Sequence, residues 1–85
     1  MKKVQFTKSA YTDFEYWKAK DPKVHSKIIH LLKDIQVSPF VGLGKPEALK
    51  YSLKDCWSRR INREHRLVYK VSGQLISVIS CHYHY

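Results

Sequence analysis

At 85 residues the chain makes one domain: at this size roughly 60 to 65% of the unfolded surface is buried, which leaves a thin but sufficient core and no room for a second domain. A hydrophobic fraction of 44% and an aromatic fraction of 13% exclude a disordered polymer, and no apolar run approaches the ~20 residues of a membrane span. Sixteen Lys and Arg against seven Asp and Glu give a formal net charge of +9, so the expected partner is a polyanion or an acidic protein.

In chain order, Val4 and Phe6 occupy alternate positions and predict a short strand over 3–6, after which Thr7 or Ser9 offers an oxygen to cap a helix. Ala10, Phe14 and Trp17 recur at helical spacing and predict an amphipathic helix over about 9–20. Asp21-Pro22 then restarts the chain as a second helix, since Asp caps and Pro is preorganised for the first helical position. Val24, Ile28, Leu31, Leu32 and Ile35 form its buried stripe, and Pro39 stops it. Helices joined so closely are expected to form an antiparallel hairpin.

Residues 40–47, with Gly42, Gly44 and Pro46, read as an irregular loop. It is a poor phosphate-cradling loop, because Gly44-Lys45 is followed by a proline that lacks the N–H such loops use. From Cys56 onward the period is two, giving three strands with turns at 62–64 and at Ser72-Gly73. The predicted fold class is therefore α+β, strand-helix-helix-strand-strand-strand, with a two-helix hairpin on one face of a small, mostly antiparallel sheet and the other face free.

Positive charge is densest at 57–69, where four arginines are threaded through strand-like alternation, and no acidic side chain follows Glu64. Arginine forks match phosphate oxygens bidentately, so this placement points to phosphate recognition. If Trp57, Ile61, Leu67 and Tyr69 face the helices, Arg60 and Arg66 share the open face, and Arg59 falls on the helix side or its rim. In the last strand Leu75, Ile79 and Cys81 are expected inward, which turns Ser80, His82 and His84 outward.

An open basic face with Arg60, Arg66 and His84, reachable by Glu47, holds the parts of a metal-free ribonuclease. Cleavage of RNA through its own 2′-hydroxyl needs a base for that proton, an acid for the departing 5′-oxygen and cations for the charge on phosphorus. Glu47 suits the base, His84 the acid and Arg66 the cation. Each piece has an ordinary alternative. On composition alone Glu47 reads as a solvated loop acid, His82 and His84 as idle terminal histidines or a His-x-His metal pair, and the arginines as edge-protecting charge. Trp17 and Trp57 read as core, while Tyr83 and Tyr85 read as base-stacking or strand-anchoring groups.

Gly44-Lys45-Pro46-Glu47, Leu49-Lys50, Trp57-Ser58-Arg59-Arg60-Ile61, Glu64-His65-Arg66-Leu67-Val68-Tyr69 and Tyr83-His84-Tyr85 together resemble the Txe/YoeB toxins of the RelE superfamily across essentially the whole chain. The resemblance implies a ribosome-dependent mRNA endoribonuclease, or mRNA interferase, acting without cofactor or metal in the A site of the small subunit. It implies inhibition by a YefM-type antitoxin, and frequent homodimers. It also implies Glu47 as base, Arg66 as transition-state stabiliser and His84 as acid, with Tyr85 ordering the substrate and Lys50 and Arg60 contacting phosphate. Arg59, His82 and Tyr83 are secondary candidates. His82 stands where the family often carries Arg, which makes a phosphate contact there doubtful or pH-dependent, and Ala48 stands where proline is common.

Cys56 and Cys81 are expected as reduced, packed thiols rather than a disulfide. Met1-Lys2-Lys3 leads straight into Val4-Gln5-Phe6 with no apolar leader, so the expected location is cytoplasmic. The rival readings are a noncatalytic RNA- or ribosome-binding module, drawn from the same charge, and a metal-binding regulator built on His82, His84 and Cys81.

Overall fold

A computed structural model gives the structure of the chain, and residues 1–82 are described. The elements are β1 (Lys3–Phe6), α1 (Lys8–Lys20), α2 (Pro22–Val37), β2 (Glu47–Ala48), a 3₁₀ turn (Tyr51–Leu53), β3 (Cys56–Arg60), β4 (Arg66–Ser72) and β5 (Leu75–Ser80). Thr7 rather than Ser9 caps α1, its hydroxyl accepting from the Ala10 N–H. One residue separates the helices. The Asp21 N–H closes α1 on the Trp17 carbonyl, while its carboxylate caps α2 through the Lys23 N–H ahead of Pro22.

The five strands lie in the order β1-β5-β4-β3-β2, antiparallel except for the β1–β5 pair. The α+β architecture is as expected, but the sheet has one strand more than the pattern showed: Glu47, placed in the loop, opens the two-residue edge strand β2. Two residues are too few to display alternation. Among the described residues no helix is long and apolar enough to cross a membrane.

The main core lies between the helices and one face of the sheet. It takes Ala10 and Trp17 from α1, all five predicted residues of α2, and Ile61, Leu67, Tyr69, Ile76, Val78 and Cys81. Trp57 packs against it, half-buried. Both cysteines are buried and unbridged, and burial, with the charge of Asp13, pushes the Cys81 thiol up to about 12.

Two sequence expectations fail on the sheet. In β5 it is Ile76 and Val78 that face the helices, whereas Ile79 points to the opposite face. The cause is an irregularity: Val68 pairs with Ser80 and Tyr69 with Val78, so Ile79 is an extra residue that reverses the alternation before Cys81 returns to the core. The face expected to be free is also partly covered. Leu49, Leu53, Cys56, Val68 and Ile79 form a second, smaller apolar cluster there.

Candidate functional site

The site is assembled by β3, whose two faces carry different chemistry. On the helix side, Arg59 is fully buried and uses all of its donors. Its Nη1 pairs with Asp34 Oδ2 and reaches the Leu43 carbonyl at 3.1 Å. Nη2 reaches the carbonyls of Ser38 at 2.5 Å and Val41 at 3.0 Å, and Nε reaches the Tyr69 hydroxyl at 3.2 Å. That hydroxyl donates in turn to the Pro39 carbonyl at 2.6 Å. The arginine thus satisfies the backbone of a segment with no ladder of its own, as buried carbonyls require. Strand parity places Arg59 on the helix side or its rim, and of the two it is the helix side, at the centre of this network.

The same network fixes the approach to Glu47. Asp34 Oδ2 accepts the Leu43 N–H at 3.0 Å, and the Arg59 hydrogen bond, followed by that N–H, holds the Asp34 carboxyl below its ordinary value. The Gly44 carbonyl then accepts the Arg60 N–H at 2.6 Å. Gly44 has φ +77, and a Cβ there would stand 2.9 Å from the Arg60 carbonyl oxygen, so only glycine lets the loop lie this close to β3. Three residues later Glu47 pairs with Ser58, and Ala48 with Trp57. Non-glycine residues in the left-handed region flank this edge strand: Lys45 (φ 51), Tyr51 (φ 57) and Asp55 (φ 77).

On the open face, pairing brings the predicted residues together. Ser58 is opposite both Glu47 and Val68, and Arg60 is opposite Arg66. Arg66 Nη1 lies 3.5 Å from Glu47 Oε1 and 3.3 Å from Ser58 Oγ. The Arg66 side chain is 23% exposed and that of Glu47 58%, so the pair is reachable from solvent. Ser58 is fully buried, and sequence reasoning passed over it as an alternating polar position. The usable signal was its parity with Arg60.

Lys50 and Arg60 are exposed. Lys50 lines a cleft of about 410 Å³ formed by residues 47–53, which also includes Glu47 and Leu49. The segment therefore presents a carboxylate and an ammonium at one cleft, and its carboxylate reaches the Arg66 guanidinium.

His82 is not on this face. Alternation does not continue past Ser80, and the imidazole stacks on Tyr16, with centroids 4.9 Å apart and planes at 23°, edge-on to Trp17 and 5.2 Å from His65. The outward orientation expected for it is corrected: His82 packs against α1. The adjoining backbone is tied there too, with the Trp17 indole N–H donating to the Cys81 carbonyl at 2.8 Å and the Cys81 N–H to Asp13. Tyr83, His84 and Tyr85, expected as a secondary contact, the acid and a substrate-ordering group, lie outside the described residues. Among the described residues no group of three or more His, Cys, Asp or Glu side chains is placed to hold a metal ion.

Comparison with known proteins gives a consistent result. A family model described as the YoeB-like toxin of bacterial type II toxin-antitoxin systems matches residues 6–85. Toxin YoeB of Escherichia coli K12 is 43% identical over 83 residues, 98% of this chain and 99% of that protein. Two solved structures from Staphylococcus aureus superpose closely. A heterotetrameric YoeB-YefM toxin-antitoxin complex gives TM-score 0.91 at 44% identity, covering 100% of this chain and 99% of that one. A YoeB dimer gives TM-score 0.90 at 46% identity, covering 96% and 95%. With its helix hairpin on a mixed five-stranded sheet and likeness along its whole length, the chain belongs to the YoeB-like toxin family of bacterial type II toxin-antitoxin systems.

Proposed function

We propose that this toxin is a ribosome-dependent endoribonuclease that cuts mRNA in the A site of the small subunit. The observation that carries the reading is the open-face cluster, where a solvent-accessible carboxylate and guanidinium stand 3.5 Å apart on the two strands that flank β3 in a strongly basic protein. In the proposed reaction Glu47 takes the proton of the 2′-hydroxyl as its oxygen attacks phosphorus. Arg66 balances the charge that accumulates on the phosphoryl oxygens, and the bond to the 5′-oxygen breaks as His84 supplies a proton to it. The products are a 2′,3′-cyclic phosphate and a 5′-hydroxyl. A substrate phosphate would compete with Glu47 for Arg66, releasing the carboxylate to act as base.

Lys50 and Arg60 contribute phosphate contacts in this scheme, and Tyr85 orders the base. Every proton is assigned to a side chain, so the proposed chemistry runs without metal or cofactor and persists in a chelator. The proposed inhibitor is a YefM-like antitoxin and the proposed assembly a homodimer, supported by the Staphylococcus aureus complexes of related chains. The proposed site of action is the cytoplasm, where ribosomes translate.

The decisive experiment maps message ends on translating ribosomes. The wild-type protein is expected to give cuts within the A-site codon, and Glu47→Ala and His84→Ala to abolish them with the fold intact. Stalled ribosomes carrying intact message would instead identify a noncatalytic binder.

A further inference from the structure

The basic surface continues beyond the open face. Arg60, paired with Arg66 on that face, also lines a separate cleft of about 390 Å³, together with Lys45, Arg63 and Lys27 of α2. Lys27 in turn lines an adjoining cleft of about 400 Å³ with Lys23 and His30. Lys27 joins the two. Neither lining contains an acidic side chain, and among the described residues none of these lysines and arginines is ion-paired. All six are exposed.

The spacing is regular as well. Lys23 and Lys27 are four residues apart on one helix face, about 6 Å along the axis, which is comparable to the separation of neighbouring phosphates on a single strand.

The chemistry of the linings selects the partner class. Protein partners are held chiefly by aromatic and aliphatic anchors in desolvated pockets, and these clefts offer no exposed large apolar side chain. The exposed apolar residues, such as Phe40, Val41 and Leu43, belong to neither cleft. A nucleic-acid backbone needs only a groove with cations along it.

We propose that a single-stranded RNA bound at the open face continues around the end of β3, over Arg60, Arg63 and Lys45, and onto Lys27 and Lys23 of α2. The track extends the binding site well beyond the scissile phosphate. It rests on the nuclease reading only for which segment of the strand lies at Glu47 and Arg66.

The test uses 2′-O-methyl oligonucleotides of mixed sequence, which offer no free 2′-hydroxyl for cleavage, at lengths of 4 and 16 nucleotides, titrated between 50 and 200 mM salt. The protein is compared with Lys23→Gln/Lys27→Gln, whose melting temperature is checked first and is expected to be unchanged. Each phosphate contact contributes about 0.7 to the slope of log K against log salt for single strands, so the double variant should lower the 16-mer slope by about 1.4 and leave the 4-mer unaffected. Over that fourfold salt range this is about a sevenfold smaller loss of affinity.

An unchanged 16-mer slope overturns the track, as does an equal fall for both lengths, which would mark a diffuse field. Lysine-dependent binding of a 16-residue polyglutamate without lysine-dependent RNA binding overturns it in favour of an acidic protein partner. If Glu47→Ala leaves mRNA cleavage intact while the 16-mer slope still falls, the nuclease assignment fails and the track stands.

Discussion

Arg59 and Arg60 are adjacent in one strand, carry the same charge and end in opposite environments. Arg59 is fully buried and spends its donors on Asp34, Tyr69 and three loop carbonyls, whereas Arg60 is exposed beside a cleft. The strand's two-residue period makes that division, and it separates two tasks. The helix-side face secures the loop that delivers Glu47, and the open face gathers Arg66, Ser58 and Glu47. An arginine-rich stretch is therefore a structural bolt on one face and an exposed cationic surface on the other.

The strongest way to break this comparison is to remove the bolt. Arg59→Ala is expected to destabilise the protein by about 3 to 5 kcal/mol, since removing the fully buried guanidinium leaves a cavity and strands the loop carbonyls, while the partly exposed Asp34 loses its partner. Arg60→Ala should fall within about 0.5 kcal/mol of wild type, and paired urea titrations measure both.

Acid sharpens the same point. Asp34 has its pKa lowered from 3.8, so its contribution to stability is complete above the unfolded value and disappears as pH falls through the folded one. Urea midpoints should therefore decline through the acid range below about pH 5, and Asp34→Asn should flatten that decline while lowering stability at pH 7.

On the opposite face the effect should appear in activity. Arg66→Ala is expected to lower cleavage by roughly 100- to 1,000-fold with little change in urea midpoint, as for loss of a preorganised charge donor. Smaller again is the link between the two faces. Gly44→Ala should cost about 2 kcal/mol, through left-handed backbone strain and the approach to the Arg60 carbonyl. Gly73→Ala, with nothing within 4 Å of the added carbon, should cost about 1 kcal/mol. The smallest expected effect on activity is that of Ser58→Ala. Loss of its hydroxyl should slow cleavage about tenfold by removing one of the contacts that orient the Arg66 guanidinium, with Ser58→Thr restoring most of the rate.

The helices were legible because their signals are local: a capping threonine, the Asp21-Pro22 junction and a stripe at 3.6-residue spacing. The inward set of β3 and β4 was legible for the same reason, since Trp57, Leu67 and Tyr69 keep strict alternation. The inward residues of β5 were not, because the extra residue at Ile79 is defined only against β4 and leaves no mark in an apolar run. Arg59 had the correct parity but the wrong depth, because its burial depends on Asp34 and on carbonyls of a loop 16 to 25 residues away in sequence. Of the candidate site, Glu47 and Arg66 are brought together across two strand pairings. Ser58 was hidden because a small hydroxyl residue in a strand carries no signal until its neighbours are known.

β1 pairs with β5 alone, and Lys3 meets Leu75 only across nearly the full length of the chain. During synthesis β1 must therefore wait for β5 before it has its strand partner, and contacts of such long separation are slow to form. The helix hairpin, built from neighbours in sequence, can assemble early, but the sheet face carrying Arg66 and Glu47 is not backed by a complete sheet until β5 has been made. A protein whose proposed target is the translating ribosome thus cannot complete its own sheet until a ribosome has delivered β5.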